Sequence, residues 1–283
     1  MILKHFWSQD FYDIYAEKIE LAYWYLVKDK LPNVDACRTE RPTEHRTERF
    51  VRFLSRKHNI GNLHVGLTSS DIEDNVRIRR IEKSFGYVEP KLNALWQKID
   101  EKMTQDTNIQ AYTHLLPAGC IKLQDRFNPL IEAYYSIKMP TIVYKGIGGS
   151  LGINHVQKHL DVDLTNISQY LSWTNVQTHK SQTGNHMTEL AVAQWLQSNS
   201  ALLQKFCNDL RQMFAFGQAQ NKPGDIASSA IVSKKAPNPW RFEKATSLFE
   251  ELIDLPARVA RILANCLLER TLTNQSALNR LFE

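Results

Sequence analysis

The chain has 283 residues, 35 basic against 30 acidic side chains, a formal net charge of +5 and 43% hydrophobic residues. That length supports a sizeable core in one or two domains. The scarcity of glycine (11) and proline (10) excludes a turn-rich sheet protein and favours long helices and an all-α fold. The charge is mixed in sign along the chain, as in Glu40-Arg41-Pro42-Thr43-Glu44-His45-Arg46, which suits a small anionic ligand at least as well as nucleic acid.

From the N-terminus, charged residues at Lys4, Asp10, Asp13, Glu17, Lys18 and Glu20 interrupt any secretory signal, and no later segment reads as a membrane span, the longest helical candidates being amphipathic. Residues 1–80 alternate short helical patterns with polar turns and read as a small helical domain; residues 81–283 read as a long-helix bundle. Near the end of the first region, Thr68, Ser69, Ser70 and Asp71 fit an N-cap with its first helical turn, and equally a hydroxyl-lined helix start that binds a carboxylate or phosphate. Arg77, Arg79 and Arg80 lack interleaved aromatics, so they read as a solvated helix face rather than a nucleic-acid surface.

Long helical segments are expected over Val88 to Thr104, Ala118 to Ile137 and His186 to Gln220, with a fourth over Trp240 to Glu269 kinked at Pro256. In the third, Asn199, Leu203, Phe206, Leu210, Met213 and Phe214 share one stripe. Such stripes need partners, within the chain and on neighbouring subunits. Cys37, Cys120, Cys207 and Cys266 form no CxxC pair and read as reduced core thiols of a cytosolic protein.

Polar segments separate these helices. Tyr112 to Ala118 carries His114, a structural histidine unless other ionisable groups converge on it. Gln182 to His186 opens the next helix. Ala227 to Pro239 holds Ser228, Ser229, Lys234 and Asn238, the parts of an ordinary connector or of a mobile lid that binds an anion. In the segment from Arg270 to Arg280, Ser276 and Arg280 are four apart, on one helical face able to hold phosphate. No spacing suggests a metal site.

Thr68-Ser69-Ser70-Asp71, Thr113-His114-Leu115-Leu116-Pro117-Ala118, Gln182-Thr183, Ala227 to Pro239 and Arg270-Thr271-Leu272-Thr273 resemble, in this order, the signature regions of the fumarase/aspartase superfamily. His45, followed by Phe50, Phe53 and Leu54, resembles a further family histidine that precedes a short helix. The Arg-x-Leu-Thr segment favours the branch of the superfamily that acts on succinyl-nucleotides.

The resemblance implies a long-helix bundle that eliminates fumarate from a succinyl-amine. A base removes the proton beside a carboxylate, which takes up the carbanion charge, and an acid protonates the departing nitrogen. By similarity Ser228 is the base, activated by lysine charge and lid amides once the loop closes, and His114 is the acid. Lys234 and Asn238 would hold the succinyl carboxylates with help from Thr68 and Ser69, and Ser276 with Arg280 would hold the phosphate. His45, Ser70, Asp71, Thr113, Gln182, Ser229 and Arg270 complete the implied substrate contacts. No cofactor or metal is implied, nor a membrane or nucleic-acid partner. The implied assembly is a homotetramer with a common helical core and sites shared among three subunits.

The chain departs from the family pattern at identifiable positions. Ile231-Val232 replace Met-Pro, two additional residues separate Lys234 from Asn238, Leu116 replaces glutamine, and Arg46 and Thr271 each replace aspartate. Family members are longer, so the chain reads as a compact form with an abbreviated N-terminus and without the C-terminal third domain. These differences bear on substrate positioning more than on the fold. They leave open a scaffold that has lost catalysis, against which Ser228, His114 and Lys234 argue.

Overall fold

The computed structural model of the chain describes residues 2–35, 42–43, 45–220, 239–266 and 272–282, and for 272–276 the backbone alone. It is helical, with one hairpin. In chain order the elements are α1 (Ile2–Phe6), α2 (Gln9–Val27), α3 (Arg46–His58), α4 (Ser69–Met103), β1 (Asn108–Thr113), β2 (Leu116–Lys122) and α5 (Leu123–Tyr135). There follow α6 (His155–His159), α7 (Thr165–Tyr170), α8 (Met187–Ala215), α9 (Trp240–Ile253), α10 (Leu255–Ala264) and α11 (Leu272–Phe282). Among the described residues no helix is long and apolar enough to cross a membrane.

The chain folds into two units, each assembled from separated stretches. The first comprises Met1–Tyr87, Thr141–Glu189 and Arg261–Glu283; the second comprises Val88–Pro140 and Leu190–Ala260.

In the first unit, α2 buries Tyr12, Tyr15, Ala16, Ile19, Tyr23 and Val27. Their spacings of one, three and four keep them on one face of a 3.6-residue helix. Against this unit's core come Phe50 and Leu54 from α3 and Ile72, Val76, Ile78 and Ile81 from α4. Tyr12 meets Phe50 edge-on at 6.1 Å, and Tyr144 stacks on Trp173 at 5.4 Å. The buried phenols keep hydrogen bonds: Tyr12 donates to Glu73 at 3.0 Å, and Tyr15 accepts from the Trp173 indole at 2.7 Å. Burial pushes the Tyr15 hydroxyl up to about 12, outweighing the nearby Arg79 charge.

In the second unit, Trp96 and Ile99 of α4, Phe127 and Ile131 of α5, and Leu203, Phe206 and Met213 of α8 form one core, with Leu210 packed against it. Each such side chain contributes about 1.5–3 kcal/mol when fully buried. The helix α9 lies along α8, where Gln197 donates to the Ile253 carbonyl at 2.8 Å and Phe214 meets Phe242 at 6.0 Å.

Four local expectations are corrected. The segment Ala118 to Ile137 is not one helix: Leu116–Lys122 pairs antiparallel with β1, and α5 begins only at Leu123. Pro117 and Gly119 are the weakest helix formers, and β1 supplies the backbone partners that a helix would have had to make internally. The segment Trp240 to Glu269 is two helices, broken at Asp254, with Pro256 in the first turn of α10, where its missing N–H is harmless. Cys207 is buried but Cys120 is exposed, because β2 faces outward along most of its length. The run of arginines is not a solvated face: Arg77 and Arg80 are 1% and 4% exposed. Arg79 reaches Glu82 at 2.6 Å, and Arg80 donates to the Ser8 carbonyl at 2.7 Å. Carboxylates and carbonyls waiting on the inner face of α4 outweigh the desolvation of the guanidinium groups.

Candidate active site

The start of α4 is built by its own first turn. Asp71 accepts from the Thr68 backbone N–H at 2.9 Å while its own N–H donates to the Thr68 carbonyl at 2.9 Å, so the capping reading of this segment holds. The same carboxylate does more. It accepts from the backbone N–H of Gly148 at 2.8 Å and of Gly149 at 3.0 Å, and it pairs with Lys145, which is 1% exposed. Asp71 is 0% exposed and its lone pairs are taken, so it positions this region and is not open to a ligand.

One turn further on, the same helix face repeats the device. Asn75 donates to the Gly146 carbonyl and accepts from the Gly146 N–H, both at 3.0 Å. Asp74 accepts from the Gly184 N–H at 3.0 Å and from Arg77 at 2.7 Å. Arg77 in turn donates to Glu189 at 2.9 Å, and the His186 ring nitrogen lies 3.1 Å from Glu189. Burial alone would push the Glu189 carboxyl up, but the Arg77 charge and the His186 hydrogen bond hold it at about 2. The same two carboxylates raise the pKa of Arg77 against its own burial.

Residues 71, 74 and 75 therefore fasten two loops to one helix: 145–152, which contains four glycines, and the turn from Gln182 to His186. The two loops also pack on each other. Gly152, at φ +77, has no room for a side chain, since a Cβ would come within 2.4 Å of the Ser181 backbone and 2.7 Å of the Gln182 nitrogen. The 145–152 loop thus touches both the first turn of α4, through Asp71, and the turn that holds Gln182. Sequence reasoning passed over this loop; its signal is the density of glycine in Gly146, Gly148, Gly149 and Gly152, in a chain with only 11. Thr68 and Ser69 are half-buried, and the Ser70 hydroxyl is buried with no hydrogen-bond partner among the described residues. Hydroxyls and backbone amides at the start of a 35-residue helix form an environment that favours an anion.

Of the other candidates in this unit, His45 is the exposed N-cap of α3, its Nδ1 accepting from the Glu48 N–H at 3.3 Å. Arg46, which stands where the family has aspartate, lies over the Tyr12 ring at 3.7 Å and donates to Gln9 at 2.7 Å. Arg280 is exposed on α11, and Ser276 precedes it by four positions in the same helix.

Thr113 and His114 belong to the second unit, where they form the tip of the β1–β2 hairpin. Thr113 pairs with Leu116, and the two residues between them, His114 and Leu115, have φ of 50° and 65°. This is the backbone of a two-residue hairpin turn, which costs a non-glycine residue about 1–2 kcal/mol per position. The turn thrusts His114 outward, with Leu115 66% exposed beside it. The hairpin is anchored by Tyr112 stacked on Phe216 at 4.1 Å and by Gln218 donating to the Gln110 carbonyl at 2.7 Å. His114, Arg126 and Gln212 line a cavity of about 220 Å³ beneath it. Ser228, Ser229, Lys234, Asn238 and Arg270 lie outside the described residues.

No protein-family model matches the chain. In sequence it is 24% identical over 241 residues to an adenylosuccinate lyase of Schistosoma mansoni, a match covering 77% of this chain and 49% of that protein. It is 22% identical over 234 residues to an adenylosuccinate lyase of Caenorhabditis briggsae, covering 76% and 48%. The chain spans about half the length of the curated relatives it matches. In structure it is similar to a fumarate lyase from Mesorhizobium sp. BNC1, with a TM-score of 0.71 at 15% identity over 99% of this chain and 70% of that one. It is also similar to 3-carboxy-cis,cis-muconate lactonizing enzyme from Pseudomonas putida, with a TM-score of 0.77 at 15% identity over 99% and 71%.

The chain has the long-helix fold of these two structures. Its sequence is similar to these two adenylosuccinate lyases.

Proposed function

We propose that the chain acts as an adenylosuccinate lyase, releasing fumarate from adenylosuccinate to give AMP and from SAICAR to give AICAR, as a carbon–nitrogen lyase of cytoplasmic purine nucleotide synthesis. The observation that carries this reading is the match of the sequence, over three quarters of the chain, to relatives that bear that name, with five motifs standing in family order. The half-buried hydroxyls of Thr68 and Ser69 at the start of α4 suit a succinyl carboxylate.

In this reading Ser228 removes the proton, Lys234 and Asn238 hold the succinyl group as its charge develops, and His114 protonates the leaving nitrogen. Gln182, Thr113, Ser229, His45 and Arg270 surround the substrate, while Ser276 and Arg280 hold its phosphate. Asp71 acts through position, keeping the helix start and the 145–152 loop in register. The active form in this reading is a homotetramer, in which His114, at the exposed tip of its hairpin, meets the other groups at a subunit junction.

The test is direct: purified full chain is mixed with adenylosuccinate, SAICAR or argininosuccinate, and fumarate is measured with the second product. Fumarate with AMP and with AICAR supports the proposal. Release from argininosuccinate alone would assign the chain to another branch, and no product from any of the three at high enzyme concentration would leave a scaffold without this activity.

A further inference from the structure

A cleft of about 530 Å³ opens in the first unit, walled by α6, α7 and residues 173–180. Its size falls among small-molecule sites, which span roughly 300–1,000 Å³. The walls are polar, with hydroxyls from Thr165, Ser168, Thr174 and Thr178 and the amide of Gln177. None of these residues belongs to the proposed lyase machinery.

Two cations line the cleft, Lys158 from α6 and Lys180. Lys180 is half-buried, yet among the described residues it makes no hydrogen bond or ion pair. Its neighbour Lys145 is paired with Asp71 and cannot share that carboxylate without loss. Burial first, and then the Lys145 charge, push the Lys180 pKa down against the weaker pull of Asp71. The stem of Lys180 lies close to Gly146, where, at φ +77, an added Cβ would come within 2.9 Å of Lys180 Cε and 2.5 Å of Val176 Cγ1. The acidic group in the wall, Asp163, is turned onto its own loop, where it accepts from the Thr165 N–H at 2.8 Å and hydroxyl at 2.7 Å. Among the described residues the cleft therefore presents an ammonium group with no ion-pair partner of its own, surrounded by hydroxyls.

We propose that this cleft binds a small phosphorylated, hydroxyl-bearing ligand of the sugar-phosphate class, with Lys180 and Lys158 taking the phosphate and the threonine and serine hydroxyls taking the sugar. A lysine ammonium recognises phosphate as a point charge, and an ion that replaces water around a half-buried, unpaired cation restores its lost solvation. Two cations in a cleft of this size suit one phosphate group rather than a nucleic-acid backbone.

The full chain would be titrated with ribose 5-phosphate, inorganic phosphate and ribose, by calorimetry and by the fluorescence of Trp173, which lines the cleft. Ribose 5-phosphate should bind most tightly, phosphate more weakly and ribose not at all. Lys180→Met keeps the stem that packs on Gly146 and Val176, and should weaken both phosphorylated probes about tenfold or more, as the loss of a charged hydrogen bond does. Lys158→Met should weaken them by a smaller factor, and gives a second reading should Lys180→Met fail to fold. Thr68→Ala and Ser69→Ala should leave this binding unchanged. Absence of binding by either phosphorylated probe, binding unaffected by both lysine substitutions, or binding abolished by Thr68→Ala would overturn the proposal. The last outcome would move the anion to the start of α4; the lyase reading is tested separately, by fumarate release from the succinyl substrates.

Discussion

Arg77 offers the most direct test of how the first unit is held together. Its guanidinium is 1% exposed and lies 2.7 Å from Asp74 and 2.9 Å from Glu189, whose side chains are 2% and 1% exposed. Arg77→Leu removes the cation and leaves two carboxylates in a dry interior, a change that costs about 3–5 kcal/mol when one partner of a buried pair is lost. The pH dependence has a definite sign. The Glu189 carboxyl sits at about 2 in the folded protein against an ordinary 4.5, so it contributes stability above that ordinary value and loses it as pH falls toward 2. Converted, the difference is roughly 3 kcal/mol. In Arg77→Leu, burial acts on Glu189 without its main counterweight, so the carboxyl takes up a proton in the folded state and the penalty shrinks as pH falls. Urea denaturation of both proteins at neutral pH and near pH 4.5, with Arg77→Leu/Glu189→Gln as the compensated variant, measures this. A loss below about 1 kcal/mol at neutral pH, or one that does not change with pH, would refute the account of the network.

Ser228→Ala should abolish fumarate release by orders of magnitude while substrate still binds, since a base acts only in the transition state; an active variant would move the role to Ser229. His114→Gln should lower turnover and flatten one limb of the pH–rate profile, and retention of that limb would exclude His114 as the acid. Mixing the two inactive variants after dissociation and reassembly should restore part of the activity through hybrid sites, whereas a fully active monomer in sedimentation would rule out shared sites. Gly146→Ala adds a Cβ 2.5 Å from Val176 at φ +77 and should destabilise the chain by about 2–4 kcal/mol in thermal or urea unfolding.

Local chemistry explains which expectations hold. The stripe through Asn199, Leu203, Phe206 and Met213 is buried as its periodicity requires, because apolar side chains on one helical face have nowhere else to go. The Thr68–Asp71 capping pattern is likewise local and lies in the structure as the spacing demands. The arginines of α4 went the other way. A guanidinium is exposed by default, and only partners distant in the chain, such as Glu189, which lies 112 positions from Arg77, make its burial favourable. The hairpin at His114 was hidden for a related reason: Ala118 to Lys122 has enough apolar character for either helix or strand, and β1 decides between them.

The amino-acid order alone determined the helical class, the capped start of α4, the stripe of α8 and the five motifs that point to the superfamily, since each depends on residues a few positions apart. Only the tertiary structure decided that Asp71, Asp74 and Asn75 spend their polar groups on two glycine-containing turns, that Arg77 is a buried strut, and that Lys180 lines a cleft with no ion pair among the described residues. A side chain's charge is written in the sequence, but whether that charge meets water, a counter-ion or neither is set by segments that come together only when the chain has folded.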